Sequence, residues 1–365
     1  MRDDLLDVSP STLSLPPRRS AAPQLLIEMQ AEPAARLLVR SLVEQISQMA
    51  SPLADVSQGP PSIARLAAWR TATHRLSASV SLYAEALTDS VSRKSRRRLQ
   101  GWSRQAERQQ RAEVQLAWLR PFLPEAPASE SDAVADPSDE SAAAAWLTRR
   151  VVRKQLAAGT SLRRASRDAT KLRDLVRSLG VYTTALRLDD MPQPRSFASL
   201  TGRLLREEGE LAFKHARDIR PGDSRSVRRA CDVLRRIGYL LEPVRMHLSG
   251  ASALSERLGE LRTSIEQLVD LGTVANAILR AGRRAGALYM TSLLRTQLFE
   301  TSKQESSEEL EGATSTKDHR RGLLALAKKL NVEIIAAFER FGEAWTDDRI
   351  NALAADLDAF ANQLR

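Results

Sequence analysis

Residues 226–244, SVRRACDVLRRIGYLLEPV, carry arginines in a pattern suited to anion recognition. Val227, Leu234 and Leu241 recur every seven residues, and Arg228/Arg235 and Arg229/Arg236 repeat on the same period. A helix with that register has an apolar side and a guanidinium side. Helix-surface arginines ordinarily alternate with acids at i,i+4. Here Asp232 is the only acid between Arg225 and Arg236, so neighbours in sequence leave most of these guanidiniums without a carboxylate. Guanidinium is a planar, permanently charged fork of donors that matches phosphate oxygens. The pattern predicts a polyanion contact by Arg225, Arg228, Arg229, Arg235 and Arg236.

Other segments share this bias. Between 93 and 111 there are eight basic residues and one acid, Glu107, and Arg97, Arg104, Arg108 and Arg111 fall on one helical stripe. Between 149 and 177 ten basic residues face only Asp168 and Asp174, and Arg163, Arg167 and Lys171 stack at i, i+4, i+8. Arg70, His74 and Arg75 add a further basic group. The alternative for each stripe is a solvated face, or one paired to acids on other helices such as Glu207, Glu208 and Glu210.

Catalytic chemistry finds no comparable pattern. The four histidines, His74, His215, His247 and His319, form no H-E-x-x-H and have no cysteine or acid at metal-ligand spacing. There is no P-loop, no G-x-G-x-x-G after a strand and no G-x-S-x-G elbow. EEGELAFK (207–214) has the wrong spacing for a triphosphate-tunnel E-x-E-x-K and sits on a helix. The expectation is a non-enzyme with no cofactor and no metal. Cys231 is the sole cysteine, which forbids an intrachain disulfide and fits a reducing cytoplasm. Residues 1–20 contain no apolar core of a secretory signal, and no run approaches 18 uninterrupted apolar residues, so no membrane insertion is expected.

The elements that must carry these side chains are helices. Hydrophobic residues make up 42% of the 365 but aromatics only 4%, and nearly every long segment has a 3.5–3.6 period. The predicted class is all-α, two pseudo-symmetric antiparallel bundles formed by duplication of a four-helix unit. Predicted helices cover about 28–49, 63–87, 199–218, 224–248, 253–285, 286–300, 320–342 and 346–364. The stripe Leu66, Thr73, Val80, Leu87 with Trp69, Leu76, Tyr83 is read as core. Loops are predicted near 50–62, 121–142, 189–198 and 302–316. Residues 121–145 hold six acids, no base and four consecutive alanines, a composition that cannot bury enough apolar area to order itself. The predicted organisation is a flexible tail at 1–24, a first bundle at 25–190 containing the acidic linker 121–142, and a second bundle at 191–365. The net charge of +10 and pI of about 10.2 favour a polyanionic partner, and 47 arginines against 8 lysines favour one with phosphate oxygens.

Two motifs then carry a family resemblance. AAWRTATHRLSASV (67–80) is similar to HxxRVATRRLRxAL, and RSVRRACDVLRRIGYLLE (225–242) to HxxRIxxKRLRYxLE, the motifs that open the key helix of each half of the conserved-histidine α-helical domain, or CHAD, family. Arg70, Arg75, Arg228 and Arg235 match. Ala67 and Arg225 replace the two histidines, His74 replaces an arginine, and Asp232 and Val233 replace a Lys-Arg pair. IEQLVDLGTVANAIL keeps Asp270 where the family has an Asn-Asp, and IIAAFERFGEAW resembles the closing helix. The resemblance covers roughly 25–365 and implies paired four-helix bundles that bind inorganic polyphosphate along basic residues of a central groove.

The sequence therefore points to a helical scaffold that binds polyphosphate or a similar polyanion. Two alternatives stay open: a nonspecific nucleic-acid-binding protein, and a helical adaptor for partner proteins.

Overall fold

A computed structural model describes residues 23–54, 63–88, 90–123, 138–169, 172–180, 195–245, 248, 250–299 and 319–364. The helices are α1 (Pro23–Glu28), α2 (Ala31–Ala54), α3 (Ile63–Leu82), α4 (Arg93–Leu119), α5 (Asp139–Ala169), α6 (Arg173–Gly180), α7 (Phe197–Arg217), α8 (Ser224–Leu241), α9 (Ala251–Phe299), α10 (Arg320–Ala344) and α11 (Asp347–Asn362). A 3-10 turn, Arg120–Phe122, follows α4. No strand occurs among the described residues; the one β-bridge joins Gln30 and Ser196. The chain is all-α, as the periodicity predicts.

Local chemistry sets the helix starts. The hydroxyls of Ser92, Ser196 and Thr346 accept the backbone N–H groups of Ser95, Ser199 and Arg349. The Asp223 carboxylate accepts from the N–H groups of Arg225 and Ser226 and so caps α8. Just before this cap Gly222 turns the chain at φ 88°, which favours a residue without a Cβ. The predicted core stripe of α3 is buried at Trp69, Thr73, Leu76 and Val80. It continues beyond the helix end into Tyr83 and Leu87, where Tyr83 stacks on Phe197 at 5.1 Å and its hydroxyl shares a hydrogen bond with Thr201.

Three boundary expectations change. Helix α2 runs through 50–54, which were expected to be loop. Residues predicted as the break at 286 lie inside one 49-residue helix, α9. The acid-rich segment becomes helical at Asp139, and its alanines are core: Ala143 and Ala144 have no exposed surface. Their small size is the reason, because α10 meets the start of α5 at Gly322. A Cβ there would fall 1.9 Å from the Asp139 carbonyl oxygen and 2.7 Å from the Ala143 Cβ. The expected tail at 1–24 gives way to α1 at Pro23, and the expected loop at 189–198 to α7 at Phe197; residues 1–22 and the loop segments 55–62, 124–137, 189–194 and 302–316 lie outside the described residues.

Apolar side chains form two clusters. The larger takes residues from α1–α3, the first half of α4, the end of α5, α6–α8, the first half of α9, the end of α10 and α11. The smaller gathers Ala112 and Leu119 of α4, Ala143 to Val151 of α5, Val274 to Ala285 of α9 and Leu323 to Leu330 of α10. Four helices, α4, α5, α9 and α10, run through both. Because Gly322 sits at a backbone-to-backbone contact of the smaller cluster, Gly322→Ala is expected to destabilise the fold by about 3 kcal/mol, the upper end of overpacking costs. Urea unfolding measures this; an unchanged midpoint means the α5–α10 contact is not tight.

Candidate anion-binding site

At the joint between the two clusters the apolar stripe of α5 fails: the buried run Leu147, Val151 resumes only at Leu162, and the position that continues the heptad is Lys154. On α9 the stripe runs on through Leu268, Leu271 and Val274, and Thr273, Asn276 and Arg280 beside it line the joint. The first two turns of α8 enter from the side. The result is an open cleft of about 380 Å³ lined by Arg111, Lys154, Arg225, Arg228, Arg229 and Arg280, with Ser224, Gln115 and Asn276 as neutral donors and Asp232 as the one acid. Arg111 is salt-bridged to Glu107 at 2.8 Å. Among the described residues the other five cations have no salt bridge to a carboxylate. Convergent unpaired cations with few competing acids are what a multiply charged phosphate requires.

The remaining residues of the sequence reading divide into two groups. The first is neutralised internally, which corrects the expectation of unpaired α8 guanidiniums at Arg235 and Arg236. Arg235 donates from Nε and Nη2 to Glu266 Oε1 at 3.1 and 3.0 Å and lies 3.8 Å from Asp232. Arg236 pairs with Glu208 at 2.7 Å, Arg75 with Glu242 at 2.5 Å and Arg70 with Glu113 at 3.5 Å. Except for Asp232, these acids lie far away in sequence, on α4, α7 and α9 or just after α8, so a one-helix reading cannot find them. The second group is exposed elsewhere. Arg97, Arg104 and Arg108 lie on the exposed side of α4, with Arg104 bonded to the Gln100 carbonyl. Arg163 is half-buried and Arg167 exposed near the end of α5. Lys171 lies outside the described residues. Reading by arginine stripes missed Lys154 and Arg280. The available signals were a lysine at a heptad core position and the absence of any acid between Asp270 and Glu300.

Behind the cleft, His74, Asp270, Glu266, Arg235 and Arg70 share one polar layer. Burial pushes His74 down to about 4, with the Arg235 and Arg70 charges adding to the effect. Its Nε2 is buried with no hydrogen-bond partner among the described residues. Burial pushes Asp270 up to about 6, helped by Glu266 and opposed by Arg235 and Arg70. The Cys231 thiol, pushed up to about 12 mainly by burial, stays protonated beside Glu266. The two titrations have opposite signs. The folded state holds the Asp270 proton that the unfolded chain releases near 4, so this group lowers stability as pH rises from about 4 to 6. The unfolded chain takes up the His74 proton near 6.5, so this group lowers stability as pH falls from about 6.5 to 4. Asp270→Asn is expected to expose the second slope and His74→Gln the first, each at most about 1.4 kcal/mol per pH unit. Melting curves across this window check it; parent-like profiles in both variants contradict it.

Among the described residues there is no group of three His, Cys, Asp or Glu placed to hold a metal ion, and no helix long and apolar enough to cross a membrane. No family model and no curated protein matches the sequence. Among solved structures, the fold is similar to the crystal structure of the CHAD domain from the plant Ricinus communis, with a TM-score of 0.53 and 15% identity over 88% of this chain and 96% of that one. The likeness shows a CHAD-like fold.

Proposed function

We propose that this chain is a non-enzymatic helical domain that binds inorganic polyphosphate, or a similar linear polyanion, in the cleft at the joint of its two apolar clusters. The observation that carries the reading is the convergence of Lys154, Arg225, Arg228, Arg229 and Arg280, from three helices, on a space with one acid in its lining. The CHAD-like fold and the motif resemblance support the same ligand class.

The test is competition of long-chain polyphosphate against duplex DNA at physiological salt. Polyphosphate is expected to win, with log K falling on log salt at a slope of about 3 to 4 if five cations each contribute as they do on single strands. Tighter binding of DNA transfers the cleft to the nucleic-acid reading. Absence of binding to either leaves the adaptor reading.

A further inference from the structure

We infer that the cleft continues between α5 and α9 as a second rung of cations, Arg150 and Arg284, and that a phosphate chain lies lengthwise along both rungs. This rests on the polyanion reading above and extends it to residues outside the cleft lining. The first rung is Lys154 and Arg280, which line the same cleft from α5 and α9 and act on one another electrostatically. Arg150 stands one helical turn before Lys154, and Arg284 one turn after Arg280, so with α5 and α9 antiparallel the second pair repeats the first about 6 Å further on.

The electrostatics agree with that geometry. Burial lowers the affinity of Arg150 for its proton, and the Arg284 and Arg153 charges lower it further. Burial does the same to Lys154, with Arg150 and Arg280 adding to it. Lys154 thus feels its rung partner Arg280 and the second rung's Arg150 as like charges, and Arg150 feels its own partner Arg284. Among the described residues neither Arg150 nor Arg284 has a salt bridge to a carboxylate. The Arg150 guanidinium is held over the Trp146 ring, 4.9 Å from its centre.

The next turn ends the ladder. Its positions are Trp146 on α5 and Leu288 on α9, so cations give way to apolar groups after two rungs. This boundary also bears on the ligand. Nonspecific single-stranded nucleic-acid sites supply aromatic rings on which bases stack. The ring one turn from Arg150, Trp146, is already engaged by the His319 ring at 5.1 Å and by Arg150. A chain of phosphates without bases fits the ladder better.

The experiment compares long-chain polyphosphate with tripolyphosphate, by calorimetry, on the full chain and on the double variant Arg150→Gln plus Arg284→Gln. The long chain is expected to lose about tenfold or more in affinity, because it reaches both rungs. Tripolyphosphate, short enough for the cleft alone, is expected to change by less than about twofold. A control with the same change of net charge, Arg177→Gln plus Arg245→Gln, separates the ladder from the general field, and melting curves confirm folding. Equal losses for both ligands, no loss for either, or a control as weak as the variant overturns the ladder and leaves the polyanion reading in place. No binding of either ligand by the unaltered chain overturns both.

Discussion

Changing Arg225, Arg228 and Arg229 together to Gln is expected to weaken polyphosphate binding by at least about 10²-fold without lowering the melting temperature. A charge-assisted contact to phosphate contributes about 1.5–3 kcal/mol, and losing three removes half of the cations that line the cleft. The variant also leaves Asp232 as a larger fraction of the local charge, which repels the ligand. Stability moves little because these guanidiniums have no salt bridge to a carboxylate among the described residues, and neutralising neighbouring like charges relieves repulsion. Calorimetric titration and thermal melts on the same preparation read both quantities. Unchanged affinity with this variant would falsify the placement of the site.

Arg235→Ala, one to three turns further along the same helix, is expected to do the reverse. Losing one partner of a buried ion pair costs 3–5 kcal/mol. The Arg235 side chain is 23% exposed and that of Glu266 35%, so solvent screening reduces this to about 2 kcal/mol. Glu266 is then left near Asp270 one turn away, and Asp232 also loses its cation. Urea unfolding should show the loss, and the double change Arg235→Leu plus Glu266→Leu should recover much of it, because it removes both members of the more buried pair and leaves only the more exposed Asp232 and Arg262 without that partner. A stable Arg235→Ala protein with impaired polyphosphate binding contradicts the assignment and moves Arg235 into the site. Two arginine sets on one helix thus have separable roles, although both follow the same seven-residue period.

That separation marks the limit of what the sequence discloses. The apolar period of α3 correctly places Trp69, Leu76 and Val80 in the core, since period and burial are both properties of one helix. Composition misplaces the alanines at 143 and 144, because it treats small residues as poor in apolar area. Opposite Gly322 smallness is the requirement, and the contact is made nearly two hundred residues away. The expected break between 285 and 286 does not occur: α9 runs on through Gly286 to Phe299, and a single glycine costs a helix interior only about 1 kcal/mol. The basic character of the site is legible in the acid-poor runs. Which acid meets which arginine is not: Glu208 is among the sequence's candidate partners and pairs with Arg236, but Glu113 and Glu266, which reach Arg70 and Arg235 through space, are not among them.

The four helices shared by the two apolar clusters also constrain how the cleft can move. Helix α9 alone, at 49 residues, is about 73 Å long. Hinges ordinarily fall in loops or at helix ends, where a few residues absorb the change in backbone angles. At this joint α4, α5 and α9 pass straight through, so opening or closing the cleft requires bending several helices at once. The backbone positions that carry Arg111, Lys154 and Arg280 are consequently preorganised: they stand at nearly fixed separation with or without an anion between them. Little backbone freedom remains to be lost on binding, and the empty cleft already carries the mutual repulsion that an anion relieves. Association should then be governed by electrostatic steering, fast at low salt and steeply slowed as salt rises, with no slower conformational phase behind it.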